Sequence, residues 1–260
     1  MFVIITKVLR KDKKQKYLSL IERARQNYEY KKHANFKWCD ECKKAINLWT
    51  YWQGLGYEID TQKIRILLVG QDWGNTDFDS GKTLENISKI NLLSPNEYEK
   101  RQYLDGLKPF VTDKNLVELF ASIGYPNIDK KRYSDLFFTN ISLGYRKINT
   151  SAHITKAEIS TDKEIFKELV EILEPKYIIA LGKMTYEIIL EALGFKTPKI
   201  SLFNNFIFTQ NGLKYNKSKI YVVAHTGGMG SANRKKGDKS NKTSIELQKE
   251  DWIKIFFNTT

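Results

Sequence analysis

The sequence predicts an α/β protein, a three-layer α/β/α sandwich around a central, mainly parallel sheet of about four strands. Three observations predict it. Four short apolar runs, "KIRILLVG" (63–70), "SDLFFTNISL" (134–143), "PKYIIALG" (175–182) and "SKIYVVAH" (218–225), are rich in β-branched and aromatic residues and bounded by turn formers. This is the pattern of strands buried on both faces of a parallel sheet. Amphipathic segments of helical length lie between and after these runs, and strands alternating with helices fold as layered α/β structures. The chain has 260 residues, 41% of them hydrophobic and 13% aromatic, enough to fill one sizeable core.

Taken in order, residues 1–60 read as a polar helical extension packed on the same domain, with a late aromatic cluster, "INLWTYWQGLGY" (Ile46 to Tyr57). Residues 61–260 read as the α/β domain. Its helices are expected at "TDKNLVELFASIG", "TDKEIFKELVEILEP", "KMTYEIILEALG" and "TSIELQKEDWIKIFF". In the last, Thr243 and Glu246 have capping-box spacing, with Ile245, Trp252, Ile253 and Phe256 as expected core residues. Two further runs, "KISLF" and "FIFTQ", suggest an edge hairpin.

Composition narrows the partners. Lysine and arginine number 43 against 30 acidic residues, a formal charge of +13, which attracts polyanions, with nucleic acid the first expectation and an anionic membrane surface the second. No apolar run has the length of a membrane span, and the opening "MFVIITKVLRKDKK" carries an apolar patch too short for a signal-peptide core. A cytoplasmic location is the default, and no obligatory protein partner is evident. Two cysteines argue against a disulfide scaffold. In "HANFKWCDEC", His33, Cys39 and Cys42 fall short of the four ligands a structural zinc site uses, so the cysteines read as ordinary thiols, and neither a metal nor a cofactor is expected.

Ligands in open α/β sheets bind beyond the carboxyl ends of the strands. The first run ends in Gln71 and Asp72, the second in Asn140, the third in Gly182, and the fourth in His225 and the loop "HTGGMGSANR". An aspartate, an asparagine and a histidine would gather along one rim. Each also has an ordinary explanation: Asp72 as a helix N-cap, Asn140 as a turn former, His225 as a structural histidine. Together they point to a site.

These residues resemble a family. "LLVGQDWG" is similar to the first motif of the uracil-DNA glycosylases, GQDPYH. "DLFFTNISL" resembles their strand ending in a base-reading asparagine, "IIALGKMTYEII" their ALGxxA-like strand and helix, and "VVAHTGGMGSANR" stands where they carry HPSPLS. The four elements occur in the family's order over about residues 60 to 256. The resemblance implies a monofunctional glycosylase-like fold and activity, the release of uracil or another deaminated base from DNA during base excision repair.

The chemistry can be rebuilt from the residues. Cleaving the N-glycosidic bond leaves an oxocarbenium-like sugar and pushes negative charge onto the base, so a site needs a carboxylate near the sugar and a donor at the base oxygen. Asp72 fits the first role and orients the attacking water, and His225 fits the second, as a donor to uracil O2. Asn140 carries a donor and an acceptor able to pair with uracil O4 and N3–H, and cytosine would mispair with it. A mispaired buried group costs about 1–3 kcal/mol. Gln71 is implied as a further base contact. Flipping the base out of the duplex suits the loop after His225: Gly227 and Gly228 would let backbone approach phosphate, Met229 would wedge into the stack, and Ser231, Arg234, Lys235 and Lys236 would contact DNA. The non-catalytic alternative is a glycosylase-like module that grips DNA or a nucleotide without turnover.

Departures from the family bear on specificity. The tyrosine that blocks the thymine methyl is replaced by Gly74, and the phenylalanine that stacks on uracil has no counterpart near Leu84 and Glu85. Trp73 or Phe78 is then the expected stacking ring.

Overall fold

The computed structural model describes residues 2–30, 35–38, 61–72, 111–131, 133–146 and 154–257. In chain order these form helix α1 (Phe2–Tyr30), strand β1 (Phe36–Lys37), β2 (Ile66–Gly70), α2 (Val111–Ser122), β3 (Leu136–Asn140), β4 (Tyr145–Arg146) and the short α3 (Lys156–Ile159). There follow α4 (Lys163–Leu173), β5 (Tyr177–Leu181), α5 (Lys183–Ala192), α6 (Phe203–Thr209), β6 (Leu213–Tyr215), β7 (Ser218–Val223), α7 (Gly228–Lys235) and α8 (Ser244–Phe257).

The four apolar runs supply the four parallel strands. The sheet runs β3-β2-β5-β7-β6, parallel except for the edge strand β6. Every residue of β2, β3 and β5 is buried, because helices cover both faces. Alternate side chains divide between two cores. Leu67, Val69, Phe137, Ile178, Ala180, Ile220 and Val222 face one side, packed with Leu20 and Ala24 of α1 and with the apolar faces of α4 and α5. Ile66, Leu68, Phe138, Ile179, Tyr221 and Val223 face the other, against α2 and α8. The period of two along each strand thus yields an α/β/α sandwich.

The N-terminal segment, α1 with β1, is fastened to the domain at three points. Tyr28 Oη donates to Asp162, whose same oxygen accepts the Leu143 N–H at 2.8 Å. Arg23 pairs with Glu168 on α4. Strand β1 pairs antiparallel with β4, Phe36 opposite Arg146.

Helix α8 starts at the expected capping box: Thr243 N–H and Oγ1–H donate to Glu246 Oε2 at 2.6 and 2.8 Å, and Glu246 N–H returns to Thr243 Oγ1 at 3.4 Å. Trp252 is fully buried against Phe120 of α2, and Phe256 is buried beside it, with Ile245 packed on the same core. Ile253 is exposed instead. The buried stripe of α8 is Leu247, Gln248, Asp251, Trp252, Ile255 and Phe256, and a residue one step past Trp252 turns about 100° away from it.

The edge hairpin also lies elsewhere. "FIFTQ" is helical, within α6, and the hairpin joins β6 to β7 through Asn216 and Lys217. Asn216 takes φ of 50°, a conformation asparagine adopts more readily than most residues. Aromatic and β-branched content suggested strands for "KISLF" (199–203) and "FIFTQ" (206–210); the first forms no strand, and the helix Phe203–Thr209 instead buries Ile207 against the helical layer.

Candidate functional site

Asp72, Asn140 and His225 all stand at the carboxyl edge of the parallel sheet. The connection leaving β2 runs to β3 on one side and that leaving β5 runs to β6 and β7 on the other, which opens a crevice between the carboxyl ends of β2 and β5. Beyond the strands the ladder continues: Ile141 N–H donates to Gly70 O at 2.9 Å and Ser142 N–H to Gln71 O at 3.0 Å. These bonds hold the Gln71–Asp72 corner beside the end of β3.

Asp72 is nearly buried, its side chain 5% exposed. Gln71 Nε2–H donates to its Oδ2 at 3.1 Å. Its Oδ1 lies 2.7 Å from Nε of Arg146, close enough for an ion pair but without the alignment of a directed N–H···O bond. A buried carboxylate is tolerable only with such partners.

Asn140 ends β3 directly opposite Gly70. A Cβ on residue 70 would fall 2.2 Å from Asn140 Oδ1, so only glycine leaves room for the amide there. Asn140 is buried, yet its amide bonds to no group among the described residues. Its full donor and acceptor capacity therefore remains available to a ligand.

His225 follows β7. The Gly227 N–H donates to its Nδ1 at 2.9 Å, so Nδ1 is the acceptor and the neutral ring carries its proton on Nε2. Burial holds the imidazole below its ordinary pKa, opposed by the negative charge of Asp72. Nε2–H has no partner among the described residues. Gly230 fixes the turn above: a Cβ there would lie 2.2 Å from the His225 carbonyl oxygen.

The segment after His225, expected as a loop, is the helix α7 from Gly228 onward, with Gly227 as its N-cap. Its residues separate into two kinds. Gly228 and Lys236 are exposed, and Met229 is 80% exposed. Ser231 is buried, its Oγ accepting from Asn115 Nδ2 at 3.1 Å and Gln248 Nε2 at 2.9 Å. Asn115 Nδ2 also donates to Thr226 O at 2.7 Å, so α2 and α8 together anchor the start of α7. Arg234 is buried, with Nε and Nη2 donating to Asp251 at 2.6 and 2.9 Å, a bidentate pair that ties α7 to α8. Lys235 is bonded to Asp238 and to Ser240 O. Ser231 and Arg234 therefore serve internal packing.

Trp73, Gly74 and Phe78, expected around the base, lie outside the described residues, as do His33, Cys39 and Cys42. Arg146 has no signal of its own in the sequence. It lies six positions past Asn140, in β4, which pairs with β1, and its guanidinium reaches Asp72.

No protein-family model and no curated protein matches the chain.

Proposed function

We propose that the protein is a DNA glycosylase of the uracil-DNA glycosylase-like kind, hydrolysing the N-glycosidic bond of uracil or another deaminated base in DNA. The observation that carries this reading is the set of three unlike groups at the carboxyl ends of β3, β2 and β7 on one edge of the sheet. They are a buried carboxylate, an amide without a partner among the described residues and a neutral imidazole whose proton is on Nε2. In this reading the base is flipped out of the duplex at a cost of a few kcal/mol. Asn140 pairs with its O4 and N3–H edge, and Nε2–H of His225 donates to O2 as charge builds there. Asp72 faces the sugar, stabilises the developing cation and orients the water that attacks C1′. The exposed Met229 suits a wedge into the vacated stack. Gly228, Lys236 and the net charge of +13 suit the phosphate backbone.

A second reading has one observation in its favour. Asp72 is already paired with a cation, as expected if the carboxylate were structural and the fold a binding module without turnover.

The test uses labelled oligonucleotides carrying one uracil, hypoxanthine or xanthine, followed by alkaline cleavage of abasic sites. Wild-type protein is expected to produce cleavage, and Asp72→Ala to lose at least about 100-fold in rate, the scale of a preorganised electrostatic catalyst. Retarded DNA with no base released would establish the binding module.

A further inference from the structure

Arg146 is the one charged side chain paired with Asp72 among the described residues that the proposed chemistry does not use. Its side chain is 18% exposed. Nε lies against Asp72 Oδ1, and the two terminal nitrogens, Nη1 and Nη2, have no partner among the described residues. Only Nε of the guanidinium is fully buried without a directed hydrogen bond, so the fork of Nη1 and Nη2 is the part that keeps access to solvent and can meet an incoming anion.

Its backbone is not adaptable. Arg146 sits in β4 opposite Phe36, a buried residue of β1. Two residues before it, Gly144 is packed so closely that a Cβ would meet Tyr28 of α1 at 2.4 Å and Phe36 at 2.9 Å. The N-terminal extension thus sets where the guanidinium stands.

We propose that Arg146 is a phosphate-binding residue of the site, its terminal nitrogens receiving the phosphodiester next to the target nucleotide while Nε stays with Asp72. The proposal rests on the glycosylase reading for the identity of the reacting sugar. If Asp72 faces that sugar, the phosphates on its 3′ and 5′ oxygens are the anions nearest the carboxylate. The planar fork of a guanidinium matches phosphate oxygens two at a time. One cation would then be shared between Asp72 and the substrate. When phosphate is seated, the guanidinium is less committed to Asp72, and the carboxylate keeps more of its charge for the sugar cation. A free nucleoside brings no phosphate and gains nothing from this arrangement, so the proposed substrate is a nucleotide within a strand.

The experiment neutralises one phosphate at a time. Oligonucleotides carry the target base with a methylphosphonate on its 5′ side or on its 3′ side, and excision is measured with wild type, Arg146→Gln and Arg146→Lys. One of the two neutral linkages is expected to reduce wild-type kcat/KM by about 10- to 100-fold, the range of a charged hydrogen-bonded contact. The same linkage should change Arg146→Gln by less than about 3-fold, since the contact is already gone. Arg146→Lys, which keeps the charge and loses the fork, should fall between. Equal losses in wild type and Arg146→Gln would overturn the proposal, as would wild-type indifference to both linkages, a result that holds even if the variant does not fold. Should wild type release no base at all, the glycosylase reading fails. The same comparison is then made on the Kd for an oligonucleotide bearing a tetrahydrofuran abasic analogue. There, loss of the linkage effect in Arg146→Gln supports the phosphate contact and additive losses exclude it.

Discussion

A single main-chain N–H decides what His225 can do. Because Gly227 donates to Nδ1, the neutral ring carries its one proton on Nε2, protonation would cost the Gly227 bond, and burial lowers the pKa from the ordinary histidine value of about 6.5. The sign of the consequence is fixed. A folded pKa below the unfolded one means that the unfolded chain takes up a proton first, so this contribution to stability is present above about pH 6.5 and is lost as pH falls toward the folded value. Excision should therefore keep its neutral donor to a lower pH than an unperturbed histidine would, which moves the acid limb of the rate profile downward. In Asp72→Asn the opposing charge disappears and the imidazole pKa should fall further. With three histidines in the chain, an NMR titration of the ring reads both. A ring titrating above 6.5 in wild type would contradict the assignment. At this scale the sequence was informative about identity and silent about partners. Asp72, Asn140 and His225 were readable because strand ends announce themselves. Arg234 was misleading, since an arginine followed by two lysines looks like a surface cluster until Asp251 is found opposite it.

The elements themselves were largely legible, because their signals are periodic and local. Four apolar runs became four parallel strands, and the segments at 112–124, 161–175, 183–194 and 243–257 each contain a helix. Local signals failed where two outcomes share a composition. Phe203–Thr209 is aromatic enough for a strand, and only packing of its buried face decides for helix. Pairings across long separations were not legible at all, and α7 is the case where this matters most. It is joined to α8 by a buried bidentate ion pair, Arg234 to Asp251, with side chains 10% and 2% exposed. Removing one partner leaves the other charge buried and unpaired, which typically costs about 3–5 kcal/mol. Asp251→Ala should therefore lower the Tm by roughly 10 °C in a chain of this size. The apolar pair Arg234→Met with Asp251→Leu should recover most of that loss. Thermal denaturation followed by circular dichroism measures both; a single variant as stable as wild type would mean that the pair does not hold α7 in place.

At the scale of the molecule, architecture and charge act together. Alternate strand residues fill two separate cores, which leaves the strand ends, and not their faces, as the place where polar groups can collect. Strand β1, far away in sequence, pairs there with β4, which carries Arg146. The surplus of 43 basic over 30 acidic residues supplies long-range attraction to a polyanion without specifying its sequence. If DNA is that polyanion, binding must release counterions. The affinity for a duplex oligonucleotide should then fall by at least about 100-fold between roughly 50 and 200 mM monovalent salt, equivalent to about four neutralised phosphates. The structure distinguishes which basic residues contribute to that slope. Lys236 is exposed at the end of α7, and Lys236→Ala should reduce the slope by about one charge with the Tm unchanged. Arg234 is committed to Asp251, so a folded Arg234→Met, Asp251→Leu protein should keep the wild-type slope. Binding that is insensitive to salt would remove nucleic acid as the partner, and a slope that falls with Arg234 but not with Lys236 would place the phosphate track on the other side of α7.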